Sequence, residues 1–299
     1  MILLVQIFYI KYGKSFSEKF NFSKGAKFSA SQVKLNESKL QFLDKNDIDS
    51  TYQIISNLNA NLVDISSKSA DFSAVIEDMT LFVEDYGLDV IRSNASFSTA
   101  SGAAKLEELN VITPNSQLIA DLSLRLPTGG SQDSFNDILI DASVQESSIG
   151  LEDIRSFVPN ISGSDSFVID QLTFSGTPNK FSLDSLRLSL PDSNFSGSLS
   201  FNNSEKTSNL VIDELIINPE DILAFVPSLA QSQVDFLKHL GTSKMTGELT
   251  RRFSNHKINM AVYTSFGLLA VDFDLLKQDT QTPSFYDGKV RGNQFAMGR

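Results

Sequence analysis

Hydrophobic and polar residues alternate with period two along much of the chain, and this alternation predicts half-buried β-strands. The clearest example occurs twice, as "LEELNVITPNSQLIADLSLRL" at 106–126 and "LDSLRLSLPDSNFSGSLSFNN" at 183–203. In each copy the apolar residues have one parity before the turn "TPNS" or "LPDS" and the other parity after it. Pro with Asn or Asp favours a turn, so each copy is predicted to be a hairpin with both apolar sides facing one interior.

The repeat predicts strands near 106–111, 117–126, 183–190 and 194–202, and similar one-sided patterns predict further strands at 167–174, 195–201, 258–263 and 266–275. A looser third copy is predicted at 33–44, where Val33, Ser38 and Leu40 match Val111, Ser116 and Leu118. The opening "MILLVQIFYI" is too short for a spanning helix and lacks a basic start and a cleavage site. We predict a buried strand there, with a membrane or signal remnant as the alternative.

Two nearly identical octapeptides, "EDIRSFVP" at 152–159 and "EDILAFVP" at 220–227, have a different pattern. Their apolar residues fall at i, i+3 and i+4, acidic residues begin each segment, and a proline ends it. This arrangement predicts short capping helices near 152–158 and 220–226. A third helix is predicted at 232–241, where Gly241 would end it.

Together these elements predict a mostly β, elongated and repetitive protein. We assign a lead-in segment at 1–24, a first β-repeat block at 25–161 and a second block at 162–299, truncated at its end, so the chain is expected to be a piece of a longer protein. Period-two patterns leave two arrangements open. The apolar faces are either buried between two sheets of a closed sandwich, or they line an open trough formed by one curled sheet.

Composition narrows the function classes. The chain has 299 residues and a formal net charge of −11, without a Lys- or Arg-rich stripe, which argues against nucleic-acid binding. It has no cysteine, so disulfides and thiol catalysis are excluded. The abundance of Phe, with no Trp, suits a strand-rich protein.

A search for reactive motifs gives no candidate catalytic, cofactor or metal residue. The two histidines, His239 and His256, are predicted to lie on separate elements, as a helix-end and a strand-surface residue. The segment "DKNDIDS" at 44–50 begins like a calcium loop but has Ile48 at the fifth position and no following glycine. No phosphate-binding glycine motif and no nucleophile elbow is present, so we expect no enzymatic activity.

The order of several motifs resembles the TamB/AsmA-like family. These motifs are "LxxLxxxTPNSxLxxxLSL", the "EDIxxFVP" caps, and "YTSFGLLAVDFDL" followed by "YDGKVRGNQFAMGR". The resemblance covers roughly residues 25–299, the middle, groove-forming part of such proteins. It implies one antiparallel sheet curled into a U-shaped, taco-like hydrophobic groove with short capping helices.

The resemblance also implies a function in the bacterial envelope. Family members are tethered to the inner membrane, extend through the periplasm, and are assigned to phospholipid transport between the membranes and to translocation and assembly of outer-membrane proteins. Phospholipid acyl chains are therefore the expected partner. An outer-membrane barrel partner would be contacted through regions that this sequence lacks. A closed-core structural or adhesive β-array without lipid cargo is the alternative.

If the sheet forms a hydrophobic groove, the residues expected to line it are those on the apolar side of the predicted strands. They are Leu109, Val111, Leu118, Leu122, Leu124, Leu186, Leu188, Phe195, Leu199, Phe201, Phe266 and Leu268. Phe273 is expected on the same side, which requires a bulge between Leu268 and Phe273 because their parities differ.

Overall fold

The computed structural model describes residues 27–43, 51–68, 71–100, 102–125, 137–155, 157, 166–225, 231–276 and 285–293. Its fifteen strands form one antiparallel sheet, in which the spatial order of the strands is their order in the sequence. The strands are β1 (Lys27–Leu43), β2 (Thr51–Lys68), β3 (Asp71–Val83), β4 (Leu88–Ala100), β5 (Ala103–Ile112), β6 (Gln117–Arg125), β7 (Leu139–Gly150), β8 (Ser166–Thr177), β9 (Lys180–Ser189), β10 (Asn194–Asn202), β11 (Thr207–Ile217), β12 (Ser243–Arg252), β13 (Asn255–Thr264), β14 (Gly267–Leu276) and β15 (Phe285–Asn293). The mostly β, single-sheet prediction is confirmed, and the described strands do not form a two-sheet sandwich.

The helical elements are few and short. A 3₁₀ turn spans Glu84–Tyr86, and the helices are α1 (Leu151–Ile154), α2 (Pro219–Phe225) and α3 (Gln231–Leu240). Helices were predicted at all three of the latter positions, but α1 stops after one turn, since 155 and 157 are turn residues. Gly241 ends α3 as predicted, with a left-handed φ of 65° and its N–H donated to the carbonyl oxygen of Leu237 at 3.2 Å.

Both predicted hairpin turns are present. The N–H of Thr113 donates to the carbonyl oxygen of Ser116 at 2.9 Å, and Leu190 and Ser193 repeat this bond at 2.8 Å. The third copy is wrong, because β1 runs without a turn through residues 33–43, where a hairpin would need one. The predictions for 1–10 and 44–50 lie outside the described residues.

The chain divides into two compact units, Met1–Ser143 and Val144–Arg299. In unit 1 the register places Leu106 between Phe97 of β4 and Leu122 of β6, so one face carries apolar side chains from strand to strand. We call this the unit 1 face. Its members include buried residues on four adjacent strands, namely Ala74, Ala95, Leu106, Leu109, Leu122 and Leu124.

The burial of the unit 1 face has a structural cause. The secondary-structure elements described in unit 1 are strands and one 3₁₀ turn. Among these elements, the strands of the sheet are the ones that can cover this face. A flat single layer would leave both faces open to water. The burial of this face agrees with the single, curled sheet that the sequence predicts.

β-Bulges keep the apolar residues on one face where their spacing is three instead of two. Leu106 lies opposite Leu122, and Leu109 lies opposite Ala120, so β5 has one residue more than β6 between these pairs. The extra residue adopts the left-handed conformation at Glu108, with φ 55°. Leu106 and Leu109 are consequently both buried, although an unbulged strand would direct them to opposite faces.

The same device recurs in both units. Leu183 and Leu186 of β9 enclose Ser185 at φ 54°, and Ile55 and Leu58 of β2 enclose Asn57 at φ 53°. At a bulge one backbone N–H is left without a partner in the regular strand pairing. In two cases a side-chain oxygen on the neighbouring strand accepts its hydrogen bond. The N–H of Glu108 donates to Asp121 Oδ1 at 2.8 Å, and the N–H of Glu37 in β1 donates to Asn59 Oδ1 at 2.9 Å.

The repeated helix is tied to the repeated turn in unit 2. The Asp192 N–H donates to Asp221 Oδ2 at 3.0 Å, and the Asn218 N–H donates to Ser193 Oγ at 2.8 Å. Asn218 also caps α2, because its Oδ1 accepts the N–H of Glu220 at 3.0 Å. The aspartate of the octapeptide thus fastens α2 to the "LPDS" turn.

We predict that Glu108→Val lowers the free energy of unfolding by about 1–2 kcal/mol, because a β-branched residue is strained at positive φ. Glu107→Val is the matched control, since Glu107 is equally exposed and has no positive φ. Urea unfolding of both variants measures the difference. Equal stability of the two would contradict the left-handed bulge at Glu108.

We predict that Asp221→Ala weakens the bond between α2 and the turn at a cost of about 1.5–3 kcal/mol, the range for hydrogen bonds to charged groups. Hydrogen exchange should report it locally, as faster exchange of the Asp192 amide. Glu220→Ala is the control, because the backbone of Glu220, not its side chain, makes the capping bond. Unchanged protection of Asp192 in Asp221→Ala would rule out this role.

Candidate functional site

The predicted lining residues of unit 1 share one side of the sheet. Val111 lies directly opposite Leu118, and Leu106 opposite Leu122, so both pairs belong to the unit 1 face with Leu109 and Leu124. Leu109 and Leu122 are each 5% exposed, whereas Val111 and Leu118 are half-buried. The face is therefore closed to water around Leu109 and Leu122 and more open at the turn end of the hairpin.

The five lining residues predicted on β9 and β10 also share one side. Leu188 lies opposite Phe195, Leu186 opposite Gly197, Leu183 opposite Leu199, and Phe181 opposite Phe201. We call this side the unit 2 face. Its predicted members, Leu186, Leu188, Phe195, Leu199 and Phe201, are all half-buried.

The unit 2 face extends well beyond these two strands. Cross-strand partners connect one residue from each of seven neighbouring strands into a single apolar row. From β8 to β14 the row is Phe174, Leu183, Leu199, Leu210, Leu249, Ile258 and Phe273. Only Phe174 is fully buried, at 8% exposure, and the other members are half-buried.

Two of the predicted lining residues are placed elsewhere. Leu268 lies opposite Tyr263 and Asn293, on the side of β14 that also carries Asp272 and Asp274. Phe266 lies in the turn before β14, where its N–H donates to Thr264 Oγ1 at 3.1 Å.

Phe273 is on the unit 2 face without the expected bulge, because β13 and β14 pair in an unbroken register. The expected bulge depended on Leu268 facing the lining side, which it does not. In "LLAVDFD" both parities begin with apolar residues, and only the two aspartates distinguish the polar side.

Glycines let neighbouring strands approach closely on the unit 2 face. Ile212 is 6% exposed and lies between Gly197 of β10 and Gly247 of β12 in the register. A Cβ on Gly197 would collide with the carbonyl oxygen of Val211, and a Cβ on Gly247 with that of Asn259. Such glycines permit sharp local bends in a sheet, and here they surround the most buried residue of β11.

The character of the unit 2 face changes at one end. Next to the aromatic rings of Phe181 and Phe201, whose centroids are 5.3 Å apart, the register continues to Ser208 of β11, then to Arg251 of β12 and His256 of β13. The row therefore begins with aromatic residues, passes through a hydroxyl, a guanidinium and an imidazole on the apolar side, and continues to Leu275 of β14. We call Ser208, Arg251 and His256 the polar row.

Sequence reasoning missed the polar row, although the signal was present. Arg251 continues the parity of Met245, Gly247 and Leu249 in β12. His256 similarly has the parity of Ile258 and Met260, and was set aside because no metal-ligand partner was found. Period-two spacing assigns polar residues to a face of a strand in the same way as apolar ones.

Metal-ligating side chains do not cluster in the described part of the chain. No cluster of three or more His, Asp or Glu side chains there could hold a metal ion. His239 lies in the last turn of α3, with its Nδ1 2.6 Å from the carbonyl oxygen of Asp235, as expected for a helix-end residue.

The described helices do not include one long and apolar enough to cross a membrane. No protein-family model, curated protein or solved structure matches the chain.

We predict that Gly197→Ala destabilises unit 2 by about 1–3 kcal/mol, the usual cost of forcing extra volume into a packed site, because β10 and β11 must separate to admit the methyl group. Ser198→Ala is the control, as the next residue along the strand already has a Cβ. Thermal and urea unfolding would measure both variants. A neutral Gly197→Ala would contradict the close approach of the two strands.

Proposed function

We propose that this chain is the groove-forming segment of a TamB/AsmA-like envelope protein and that its apolar faces hold phospholipid acyl chains. The observation that carries the proposal is the seven-strand apolar row of the unit 2 face, which contains Leu, Ile and Phe side chains yet stays mostly half-buried. Apolar surface left in contact with water is unfavourable by about 25 cal/mol per Å². A bound acyl chain would remove that surface from water and gain about 0.8 kcal/mol for each buried CH₂ group.

The sheet architecture supports the same proposal. A sandwich would cover such a face with a second sheet, but the described strands all belong to one sheet. The row also passes through successive strands without a polar interruption, so a chain bound on it could move from one strand to the next at little cost. Neither property requires a reactive residue.

The motif resemblance supplies the cellular context of the proposal. We infer from it that the protein acts in the periplasm and that the full-length parent is tethered to the inner membrane. Its role would be in outer-membrane biogenesis. Phospholipid transport between the membranes is the function best matched to an open apolar face. Assembly of outer-membrane proteins is the family's other assigned role.

One observation favours the alternative of a closed structural array for part of the chain. On the unit 1 face Leu106, Leu109, Leu122 and Leu124 are each at most 6% exposed, which is typical of a packed core. The two units therefore give different expectations, and the same substitution can be compared in both.

We predict that Leu199→Glu abolishes lipid carriage while leaving the protein folded, because a carboxylate on a half-buried face costs acyl-chain binding more than stability. Ser200→Glu is the control, since Ser200 is exposed on the other side of β10. The measurements are native mass spectrometry for copurified phospholipid and, in the full-length parent, outer-membrane permeability together with protein abundance. Loss of abundance with full activity of the surviving molecules would favour a closed core.

The matched pair in unit 1 is Leu122→Glu with Ser123→Glu. If the unit 1 face is a lipid-carrying groove, Leu122→Glu should block transport at normal abundance. If it is a packed core, the variant should be degraded, because an unpaired buried charge is expensive. A photo-crosslinking residue at 199, compared with one at 200, would identify phospholipid on the unit 2 face directly.

A further inference from the structure

Charge is segregated along the strands of unit 2. The turns at 177–180, 202–207 and 252–255 lie at one end of the antiparallel strands β8–β13. Basic residues collect at this end, although the whole chain has a net charge of −11. Lys180, Lys206 and Arg252 lie within the three turns, with Glu205 as the acidic residue there. Arg251 and Lys257 lie beside the last turn, and Lys257 has Asp274 of β14 as its cross-strand partner.

The opposite end of the same strands has a different balance. It contains the "LPDS" turn together with α2 and α3, and four of its residues, Asp192, Glu220, Asp221 and Asp235, are acidic. Arg187, Lys238 and Lys244 are the basic residues there, and Lys244 forms an ion pair with Glu214. An anion approaching unit 2 is therefore attracted to the basic end.

The polar row brings this charge onto the apolar side. Arg251 and His256 are direct cross-strand partners, which places their Cβ atoms about 5 Å apart. Ser208 is the partner of Arg251 on the other side, so three hydrogen-bond donors lie on adjacent strands. Arg252 and Lys257 lie on the opposite side of the sheet, since they alternate with Arg251 and His256.

The guanidinium of Arg251 is held in place and remains available. Its Nε donates to the carbonyl oxygen of Phe253 at 3.3 Å. Phe253 is a turn residue with φ 54°, and its own N–H donates to the carbonyl oxygen of Lys206 at 2.9 Å. Arg251 is exposed, and none of the three ion pairs among the described residues includes it. Its terminal nitrogens can therefore form the two parallel hydrogen bonds that a phosphate accepts.

The apolar part of the face has the length of one acyl chain. From Leu249 to Met245, inward from Arg251 along β12, the strand rises about 13 Å. One leaflet of a bilayer is about 15 Å thick in its hydrocarbon part. A lipid lying along the strands would reach across the unit 2 face with its polar group at the polar row.

We propose that the polar row binds the phosphate of a phospholipid headgroup while the acyl chain lies on the unit 2 face. This inference rests on the proposed function and adds to it a headgroup site, a preferred orientation and a preference for anionic lipids. Arg251 supplies the charge and the paired donors, and Ser208 and His256 supply single donors on either side.

The test compares phosphatidic acid with diacylglycerol that has the same acyl chains, each bearing a fluorescent tail and presented in neutral detergent micelles. The 299-residue chain should bind phosphatidic acid about tenfold more tightly than diacylglycerol, the factor expected from one charge-assisted pair of hydrogen bonds. Arg251→Gln should remove this preference without changing diacylglycerol binding. His256→Gln should reduce it in part.

Arg252→Gln is the matched control, because it removes the same charge from the next residue on the opposite side of β12. It should leave the preference within about twofold of the starting protein, since a charge there affects an exposed ligand weakly. Arg251→Lys keeps the charge but loses the paired donors, and should give an intermediate preference. Thermal unfolding of each variant would confirm that the fold is retained.

The outcomes separate the two proposals. Binding of neither lipid would contradict the proposed function, and the headgroup site with it. Equal binding of both lipids, or an equal effect of Arg251→Gln and Arg252→Gln, would leave acyl-chain binding intact and overturn the headgroup site. Inorganic phosphate binding as tightly as phosphatidic acid would identify a site for free phosphate and overturn the lipid assignment.

Discussion

The structure depends on one constraint: each strand must place its apolar residues on the same side of a sheet that has no second layer among the described residues. Ordinary alternation satisfies this constraint where the spacing is two. Where the spacing is three, as between Leu106 and Leu109, a left-handed bulge residue restores the common side. The conformational cost of that residue is moderate, and the burial of two leucines, about 1.5–3 kcal/mol each, exceeds it.

The two units satisfy the constraint to different degrees. On the unit 1 face the leucines of β5 and β6 are shielded, so hydrophobic burial within the chain is nearly complete there. The unit 2 face contains larger side chains next to glycines and stays half-buried. One sheet thus combines a stretch that is buried like a core with a stretch of apolar residues that stays mostly half-buried.

Much of the fold could be predicted from the sequence, because strand parity and turn chemistry are local signals. The hairpins at "TPNS" and "LPDS" and the helices at the octapeptides depend on nearby residues. The side of Leu268 was assigned wrongly and the bulge before Phe273 is absent, since both parities of β14 begin with apolar residues and the register with β13 decides between them. The polar row could not be recognised as a unit, because Ser208, Arg251 and His256 meet only when three strands are aligned.

The agreement between spatial order and sequence order has a consequence for how such a chain can change length. Each described strand pairs with the strands next to it in the sequence, so the pairing of the described strands does not depend on a distant part of the chain. A duplicated hairpin would add two strands, or about 9.5 Å of surface, and leave the hydrogen bonds of the others in place. A duplicated segment that contains both Asp221 and the "LPDS" turn would also copy the hydrogen bond that links them.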